Sequence, residues 1–214
     1  MPVELLKINS SKPEAKLIAY AADRIRAGQV VGVPTDTFYG LAADPVNLRA
    51  VDRIYEIKTR SSHKPLSLLV QDVDQAEDLA RDLPEKFYEL SRKYWPGPLT
   101  LIVHAGSKLP LKVTANSGNV ALRVPAAEIP LAIIRVLGAP ITATSANLSG
   151  ATECTTAEGV RDQLGERISL IVDGGPSPRS VASTIVDLSG EPFTWQIIRD
   201  GAIDPKEIRD ALYK

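Results

Sequence analysis

A short β-branched run that ends abruptly in a polar turn is the feature that most constrains how this chain folds. Residues 30–33 are apolar, and the run stops at Pro34, which has no backbone N–H to donate to a sheet. Hydroxyl or carboxyl side chains follow at Thr35, Asp36, Thr37 and Tyr39, before Gly40 lets the chain turn. In α/β proteins a buried strand commonly ends in a loop that presents polar groups to a ligand. The pattern therefore predicts an α/β protein with a site at this turn, although an ordinary strand-to-helix turn explains the same residues.

Helical and strand patterns alternate along the rest of the chain. Helix starts are predicted at two capping boxes, Ser11-x-x-Glu14 and Thr155-x-x-Glu158, and at Asn47, Asp72, Pro84 and Asp204. Short apolar runs between the helices predict strands at residues 30–33, 66–70, 99–103, 119–124, 141–147, 169–173, 184–188 and 193–198. The last two strands are close enough in sequence to form a hairpin. The mixture, without a repeat or linker, predicts one α/β domain.

Charge balance and the scarcity of histidine and cysteine exclude several classes of function. The chain has a net charge of −1, so contact with RNA needs a local basic patch. The single cysteine, Cys154, excludes an internal disulfide and a multi-cysteine zinc site, and we interpret it as incidental. His63 and His104 are too few for a histidine-rich metal site. No apolar run approaches the ~18 residues of a membrane span, which favours a cytoplasmic protein with no membrane partner.

Two pairs of polar residues lie where predicted elements end. Lys58 and Arg60 are one residue apart after the second helix, and in an extended loop both can reach one anion. Ser145 and Asn147 have the spacing that puts two side chains on the same side of a strand. Each pair also has a plain structural explanation, either a solvated helix end that favours cations or a capped turn.

Further polar residues follow the same pattern. Ser183, Thr184 and Arg199 lie on or beside the C-terminal hairpin, and Arg123 faces away from the apolar side of its strand. Four clusters of Ser, Thr, Lys and Arg at strand ends, in a chain of this net charge, favour an anionic ligand with several phosphates. The residues alone do not identify that ligand.

A series of short motifs in a fixed order resembles the YrdC-like domain family. The resemblance covers about residues 15–204, nearly the whole chain. The motifs are Pro34-Thr-Asp-Thr-Phe-Tyr-Gly-Leu41, Lys58-x-Arg60, Lys64-Pro-Leu66, Trp95-Pro-Gly-Pro-Leu-Thr100, Arg123-Val-Pro125, Ser145-Ala-Asn147-x-Ser-Gly150, Asp173-Gly-Gly175, Ser183-Thr-Ile-Val186 and Arg199-x-Gly201.

The resemblance implies both a fold and an activity. Family members have a twisted, mostly parallel or mixed sheet flanked by helices, with a concave basic active-site face, so we expect one such domain over residues 1–214. Characterised members are threonylcarbamoyl-AMP synthases, which convert L-threonine, bicarbonate and ATP to threonylcarbamoyl-AMP, pyrophosphate and water. The product serves threonylcarbamoyladenosine formation at position 37 of tRNA. Because the chain ends after this region, we expect the extra C-terminal domain of longer members to be absent.

The resemblance also implies roles for individual residues. The ATP-binding residues are expected to be Lys58, Arg60, Ser62, Ser145, Asn147 and Arg199, of which Lys58 and Arg60 are the catalytic pair. The L-threonine-binding residues are expected to be Thr35, Ser67, Arg123, Ala143 and Ser183. We expect no tightly bound cofactor and no metal site of the protein's own, since ATP is a substrate that brings its own Mg²⁺.

The implied partners are ATP, L-threonine, bicarbonate and a downstream tRNA threonylcarbamoyl transferase complex. Direct contact with tRNA is expected to be weak. Two alternatives stay open, a non-catalytic RNA-binding module and an enzyme that adenylates a different amino acid. The K-x-R and S-x-N pairs argue against the first alternative, because a domain that only binds RNA has no need of both.

Overall fold

The computed structural model describes residues 3–59, 65–190 and 194–213, which form eleven strands and seven helices. The strands are β1 (Glu4–Lys7), β2 (Val31–Val33), β3 (Gly40–Ala42), β4 (Ser67–Leu69), β5 (Leu99–His104), β6 (Asn119–Arg123), β7 (Ile141–Thr142), β8 (Thr144–Ser145), β9 (Leu170–Asp173), β10 (Thr184–Gly190) and β11 (Thr194–Arg199). The helices are α1 (Ala15–Arg26), α2 (Leu48–Ile57), α3 (Val73–Leu79), α4 (Glu85–Tyr94), α5 (Glu128–Leu137), α6 (Ala157–Leu164) and α7 (Pro205–Leu212).

The strands divide between two mixed sheets. The first sheet has the order β1-β9-β2-β3-β8, in which β1, β9 and β2 are parallel and the other pairs antiparallel. The second sheet has the order β11-β10-β5-β6-β4-β7, with parallel pairs β10–β5 and β6–β4. The predicted α/β fold with a mixed sheet is therefore confirmed, but two sheets replace the one that was expected. The predicted C-terminal hairpin is confirmed by the antiparallel pairing of β10 with β11.

Apolar faces of the helices cover both sheets. Ile18, Ala21 and Ile25 recur at helical spacing on α1, and all are buried in one cluster with β2, β9 and α5. A second cluster brings the apolar residues of β5, β6 and β10 together with those of α2, α4, α6 and α7. Both strands and helices are therefore held mainly by burial of apolar area.

Thr142 joins the two sheets. It belongs to β7 in the second sheet, yet its Oγ1 donates to Leu41 O on β3 of the first sheet and accepts from Ala43 N, just after β3, both at 2.9 Å. One residue later, Ala143 separates β7 from β8, which pairs with β3. The run that the sequence predicted as one strand over residues 141–147 is thus two short strands in different sheets. The region where the chain changes sheet becomes the wall of a cleft.

Three predicted helix caps are confirmed. The side chains of Asn47, Asp72 and Asp204 each accept a hydrogen bond from a backbone N–H in the first turn of α2, α3 and α7. Pro84 is the residue before α4 rather than its first residue.

Both predicted capping boxes are wrong in detail. Ser11 donates to Asn9 Oδ1 at 3.0 Å, and α1 begins only after Glu14, which has no cap hydrogen bond of its own. In the second box, Thr156 rather than Thr155 caps its helix, accepting from Gly159 N at 3.1 Å. Thr155 and Thr156 are adjacent hydroxyl residues, and packing decides which of them caps α6.

Two strands, β1 and β3, were not predicted. Their sequences, Glu-Leu-Leu-Lys and Gly-Leu-Ala, lack β-branched residues. They form strands because β1 pairs with β9 and β3 pairs with β2. Their existence depends on tertiary pairing rather than on local propensity.

Candidate active site

A cleft of about 390 Å³ opens where the two sheets meet. Its walls come from the polar turn after β2, from β4, β5 and β6, from β8, and from the C-terminal hairpin. It is lined by Thr35, Thr37, Phe38, Tyr39, Gly40, Pro65, Ser67, Leu69, Thr100, Ile102, Ala121, Arg123, Ala143, Thr144, Ser145, Glu153, Ala182, Ser183, Ile185 and Arg199. Residues from widely separated parts of the chain therefore share one concave surface.

Most of the residues singled out by the sequence lie at this cleft. Its lining includes all five residues expected for L-threonine and two of those expected for ATP, namely Thr35, Ser67, Arg123, Ala143, Ser183, Ser145 and Arg199. Lys58 and Asn147 lie directly beside Ser145 but are not part of the lining. Arg60 and Ser62 fall outside the described residues.

Lys58 is not in an extended loop, which corrects the sequence-based prediction. It is the C-terminal cap of α2, with helical backbone angles, and only 3% of it is exposed. Its Nζ donates to Ser145 O at 2.5 Å, to Asn147 O at 3.1 Å and to Asn147 Oδ1 at 3.0 Å. The alternative of a solvated helix end is wrong as well, because the ammonium group is buried and surrounded by oxygens.

Ser145 and Asn147 form one network with that ammonium group. Ser145 Oγ donates to Asn147 Oδ1 at 2.8 Å, and Asn147 Nδ2 donates to Ala151 O at 2.6 Å. The two side chains do lie on the same side of the chain, as their spacing predicted. Asn147 is 5% exposed, so it orients Ser145 and Lys58, while Ser145 itself reaches the cleft.

Arg123 makes a buried ion pair at the floor of the cleft. Its Nη2 lies 2.5 Å from Asp36 Oδ1, its Nη1 donates to Thr37 Oγ1 at 3.0 Å, and its Nε donates to Gly97 O at 2.9 Å. Burial lowers the pKa of the Arg123 guanidinium, and the negative charge of Asp36 opposes that change. Since an arginine stays protonated in proteins, the pair is ionic, and one carboxylate compensates the charge of Arg123.

Ser183 and Arg199 form a second polar group of the cleft, at the C-terminal hairpin. Arg199 Nε and Nη2 donate to Ser183 O at 3.0 and 2.9 Å, and Nη2 also donates to Ser183 Oγ at 3.0 Å. Burial lowers the pKa of the Arg199 guanidinium, and the negative charge of Glu153 opposes part of that change. Among the described residues, Nη1 of Arg199 makes no hydrogen bond, so this end of the guanidinium is the part that a ligand can engage.

The polar turn after β2 is built around Thr35. Thr35 Oγ1 donates to Phe38 O at 2.6 Å and accepts from Thr37 N at 3.1 Å. Both threonines are buried and line the cleft, so the turn is ordered by its own hydroxyls. The structural explanation for this turn is therefore confirmed, and the ligand-binding explanation stays a prediction.

The sequence did not single out several residues of the cleft. Thr100 Oγ1 lies 2.8 Å from Ser183 Oγ, and the alternation of β5 places it on the face opposite Leu99 and Leu101. That alternation could have identified Thr100 from the sequence as a candidate for the polar face. Glu153 is the one carboxylate in the described lining, and no local pattern marks it.

Cys154 and His104 do not line the cleft. Cys154 is 4% exposed, and burial raises the pKa of its thiol, which favours the interpretation of this residue as unreactive. His104 Nδ1 lies 3.1 Å from Asn119 Oδ1 on the second sheet. In the described ranges no group of three or more His, Cys, Asp or Glu side chains is arranged to hold a metal ion. No helix among those ranges is both long and apolar enough to cross a bilayer.

The chain matches known proteins over most of its length. The family model for the Sua5/YciO/YrdC domain, described as telomere recombination, matches residues 23–201. A threonylcarbamoyl-AMP synthase of Bacillus subtilis is 43% identical over 196 residues, which are 91% of this chain and 56% of that protein. A threonylcarbamoyl-AMP synthase of Pyrococcus abyssi is 38% identical over 195 residues, 91% of this chain and 57% of that protein.

A solved structure has the same fold. The crystal structure of P. abyssi Sua5 complexed with L-threonine has a TM-score of 0.93 and 36% sequence identity, covering 98% of this chain and 61% of that one. The chain thus spans less than two thirds of the length of these relatives. With a family model over most of its residues and relatives well above 30% identity, the chain belongs to the Sua5/YciO/YrdC family.

Proposed function

We propose that this protein is a threonylcarbamoyl-AMP synthase, which converts L-threonine, bicarbonate and ATP to threonylcarbamoyl-AMP, pyrophosphate and water. One observation carries the proposal: side chains expected for L-threonine and for ATP, from distant parts of the chain, line a single cleft. Similarity to proteins named threonylcarbamoyl-AMP synthase and to Sua5 in complex with L-threonine supports it.

In this proposal L-threonine binds between the polar turn and the hairpin. Arg123 faces the substrate carboxylate, and the hydroxyl-rich walls at Thr35 and Ser183 face its polar groups. Ser67 and Ala143 complete the pocket where the two sheets meet. The support is that all five residues line the same cleft.

ATP binds on the neighbouring side of the cleft. Nη1 of Arg199 is the group that meets the phosphates, and Ser145 presents its hydroxyl beside them. The ammonium group of Lys58 lies 3.4 Å from that hydroxyl, so it adds positive charge from below the surface. Asn147 holds both in place, and Arg60 and Ser62, outside the described residues, complete the nucleotide site. We propose that Mg²⁺ enters with ATP, because this ion is usually held by substrate phosphates.

The chemistry needs positioning and charge stabilisation rather than a protein nucleophile. The amine of threonine condenses with bicarbonate, losing water, to give a carbamate. A carbamate oxygen then attacks the α-phosphorus of ATP, the bond to the bridging oxygen breaks, and pyrophosphate leaves with the electron pair. Arg199, Arg60 and Lys58 stabilise the negative charge on the phosphates, as in other phosphoryl-transfer sites.

The product is used outside this protein. We propose that it passes to a tRNA threonylcarbamoyl transferase complex, with only weak contact between this chain and tRNA itself, and that the protein works in the cytoplasm. The net charge of −1 supports weak contact, since counterion release needs many cationic contacts.

Pyrophosphate release tests the proposal. The purified protein is incubated with ATP, Mg²⁺ and bicarbonate, with and without each L-amino acid. We expect release that requires both bicarbonate and L-threonine. Arg199→Ala should raise the KM for ATP by about 10-fold or more, as expected for one charge-assisted contact, while Arg209→Ala, an exposed arginine of α7, should match the parent.

Two outcomes would support the rival functions. Release that depends on another amino acid would mean that the acceptor is different. Tight tRNA binding at physiological salt, without ATP turnover, would support a non-catalytic RNA-binding module.

A further inference from the structure

Charge balance at the floor of the cleft points to a further residue for substrate binding. Arg123 is 6% exposed, and its charge is already compensated by Asp36. A substrate carboxylate that binds Arg123 adds a second negative charge to one guanidinium. Two carboxylates that share one guanidinium each receive less of its charge and of its hydrogen-bond donors, which is costly in a site shielded from water. A second cation near Asp36 removes that cost.

Asp36 has a carboxylate oxygen in position to receive such a cation. Its Oδ1 accepts from Arg123 Nη2 at 2.5 Å and from Ala126 N at 3.1 Å. Its Oδ2 is buried and, among the described residues, has no hydrogen-bond partner. A buried acceptor without a donor is unfavourable and gains by meeting one.

Arg179 is the cation next to that oxygen. Its Nη1 lies 3.7 Å from Asp36 Oδ2, just beyond hydrogen-bond range, and 3.4 Å from Asp36 O. The Arg179 side chain is 46% exposed, so it can shift by less than 1 Å at little cost in packing. It lies in the segment 174–183, which joins β9 to β10 and ends at Ser183 in the cleft lining.

We propose that Arg179 is a positioning residue for the substrate carboxylate. When the carboxylate of L-threonine binds Arg123, Arg179 moves into contact with Asp36 Oδ2. Arg179 then compensates part of the negative charge of Asp36. Arg123 then offers its charge to the substrate, while Asp36 has the charge of Arg179 beside it. The proposal rests on the proposed function, because L-threonine supplies the second anion.

Direct binding of L-threonine, measured by calorimetry without ATP, tests the proposal separately from catalysis. We expect Arg179→Ala to raise the Kd for L-threonine about tenfold, and Arg179→Lys, which keeps the charge, to recover part of the loss. L-Threoninamide, which lacks the negative charge, should bind the parent and Arg179→Ala equally. Arg161→Ala is the matched control, since Arg161 is also 46% exposed and pairs with Asp162 at 3.2 Å on α6.

The steady-state parameters give the second readout. In pyrophosphate release, Arg179→Ala should raise the KM for L-threonine by the same factor and leave the KM for ATP within about twofold. An unchanged Kd for L-threonine, or equal losses for threonine and its amide, would overturn the proposal. A parallel rise in the KM for ATP would also overturn it, because Arg179 would then act on phosphates.

Failure of the proposed function has a different signature. If the parent binds L-threonine but releases no pyrophosphate, the synthase assignment fails, and the Kd comparison still decides the role of Arg179. If the parent does not bind L-threonine at all, the proposed ligand is wrong and the role of Arg179 falls with it.

Discussion

Replacing Lys58 with methionine should cost stability as well as activity. Lys58 Nζ donates to Ser145 O, Asn147 O and Asn147 Oδ1 at 2.5 to 3.1 Å, and each such bond from a charged group contributes about 1.5–3 kcal/mol. Part of that loss is offset, because methionine also removes the cost of burying an ammonium group. Ser145 O keeps a donor in Asn147 N at 3.0 Å, and Asn147 Oδ1 keeps Ser145 Oγ at 2.8 Å.

The expected net loss is about 3 kcal/mol in the free energy of unfolding. For a chain of this size, that loss corresponds to a decrease in Tm of about 6–12 °C. Calorimetric melting of the parent, Lys58→Met and Lys108→Met measures it. Lys108 is the matched control, since its side chain is 65% exposed and its ion pair with Asp78 is of the kind that contributes at most about 1 kcal/mol.

Pyrophosphate release by the same proteins separates stability from function. Below its melting temperature Lys58→Met should have lost most activity, because Ser145 and Asn147 lose their shared donor. If Lys58→Met melts within about 2 °C of the parent, the buried network does not support the fold as its geometry indicates.

Three further predictions follow from the cleft and its surroundings. Asp36→Asn should destabilise the protein by about 3–5 kcal/mol in urea unfolding, because it leaves the buried charge of Arg123 without its partner; a loss below about 1 kcal/mol would contradict the buried ion pair. Burial raises the pKa of the Cys154 thiol, because the folded protein disfavours the thiolate. The stability that the buried neutral thiol contributes is therefore complete below the unfolded thiol pKa of ~8.5, and it is lost as pH rises through the higher folded pKa. Unfolding free energies measured at rising pH should fall more for the parent than for Cys154→Ala, and parallel curves would refute this. If Thr35 and Ser183 bond the substrate hydroxyl, pyrophosphate release should be fastest with threonine and slower with serine by about 1–3 kcal/mol in activation free energy. With valine it should be slower by ~10⁴-fold or more, and a faster reaction with valine than with serine would mean that the pocket recognises shape alone.

Local sequence patterns determined much of the secondary structure, whereas the expected roles of the site residues came from the resemblance to the YrdC-like family. Asn47, Asp72 and Asp204 cap helices as predicted, because a cap depends on one side chain and the backbone beside it. The polar turn after β2 and the S-x-N spacing at Ser145 also lie where the sequence placed them. Such features depend on neighbours within a few residues, so the sequence contains the information that fixes them.

Tertiary structure decided the connections between these elements. The division of residues 141–147 between two sheets depends on pairing with β3 and β4, which are far away in sequence. The pairing of Arg123 with Asp36, 87 residues apart, likewise leaves no local signal, and neither does Glu153 in the cleft. Lys58 shows the reason most clearly. Its sequence position suggested an exposed cation at a helix end, but residues 87 and 89 positions later fold over it and turn it into a buried donor. Burial and charge compensation are properties of the packed chain, because they depend on which distant groups displace water from a side chain.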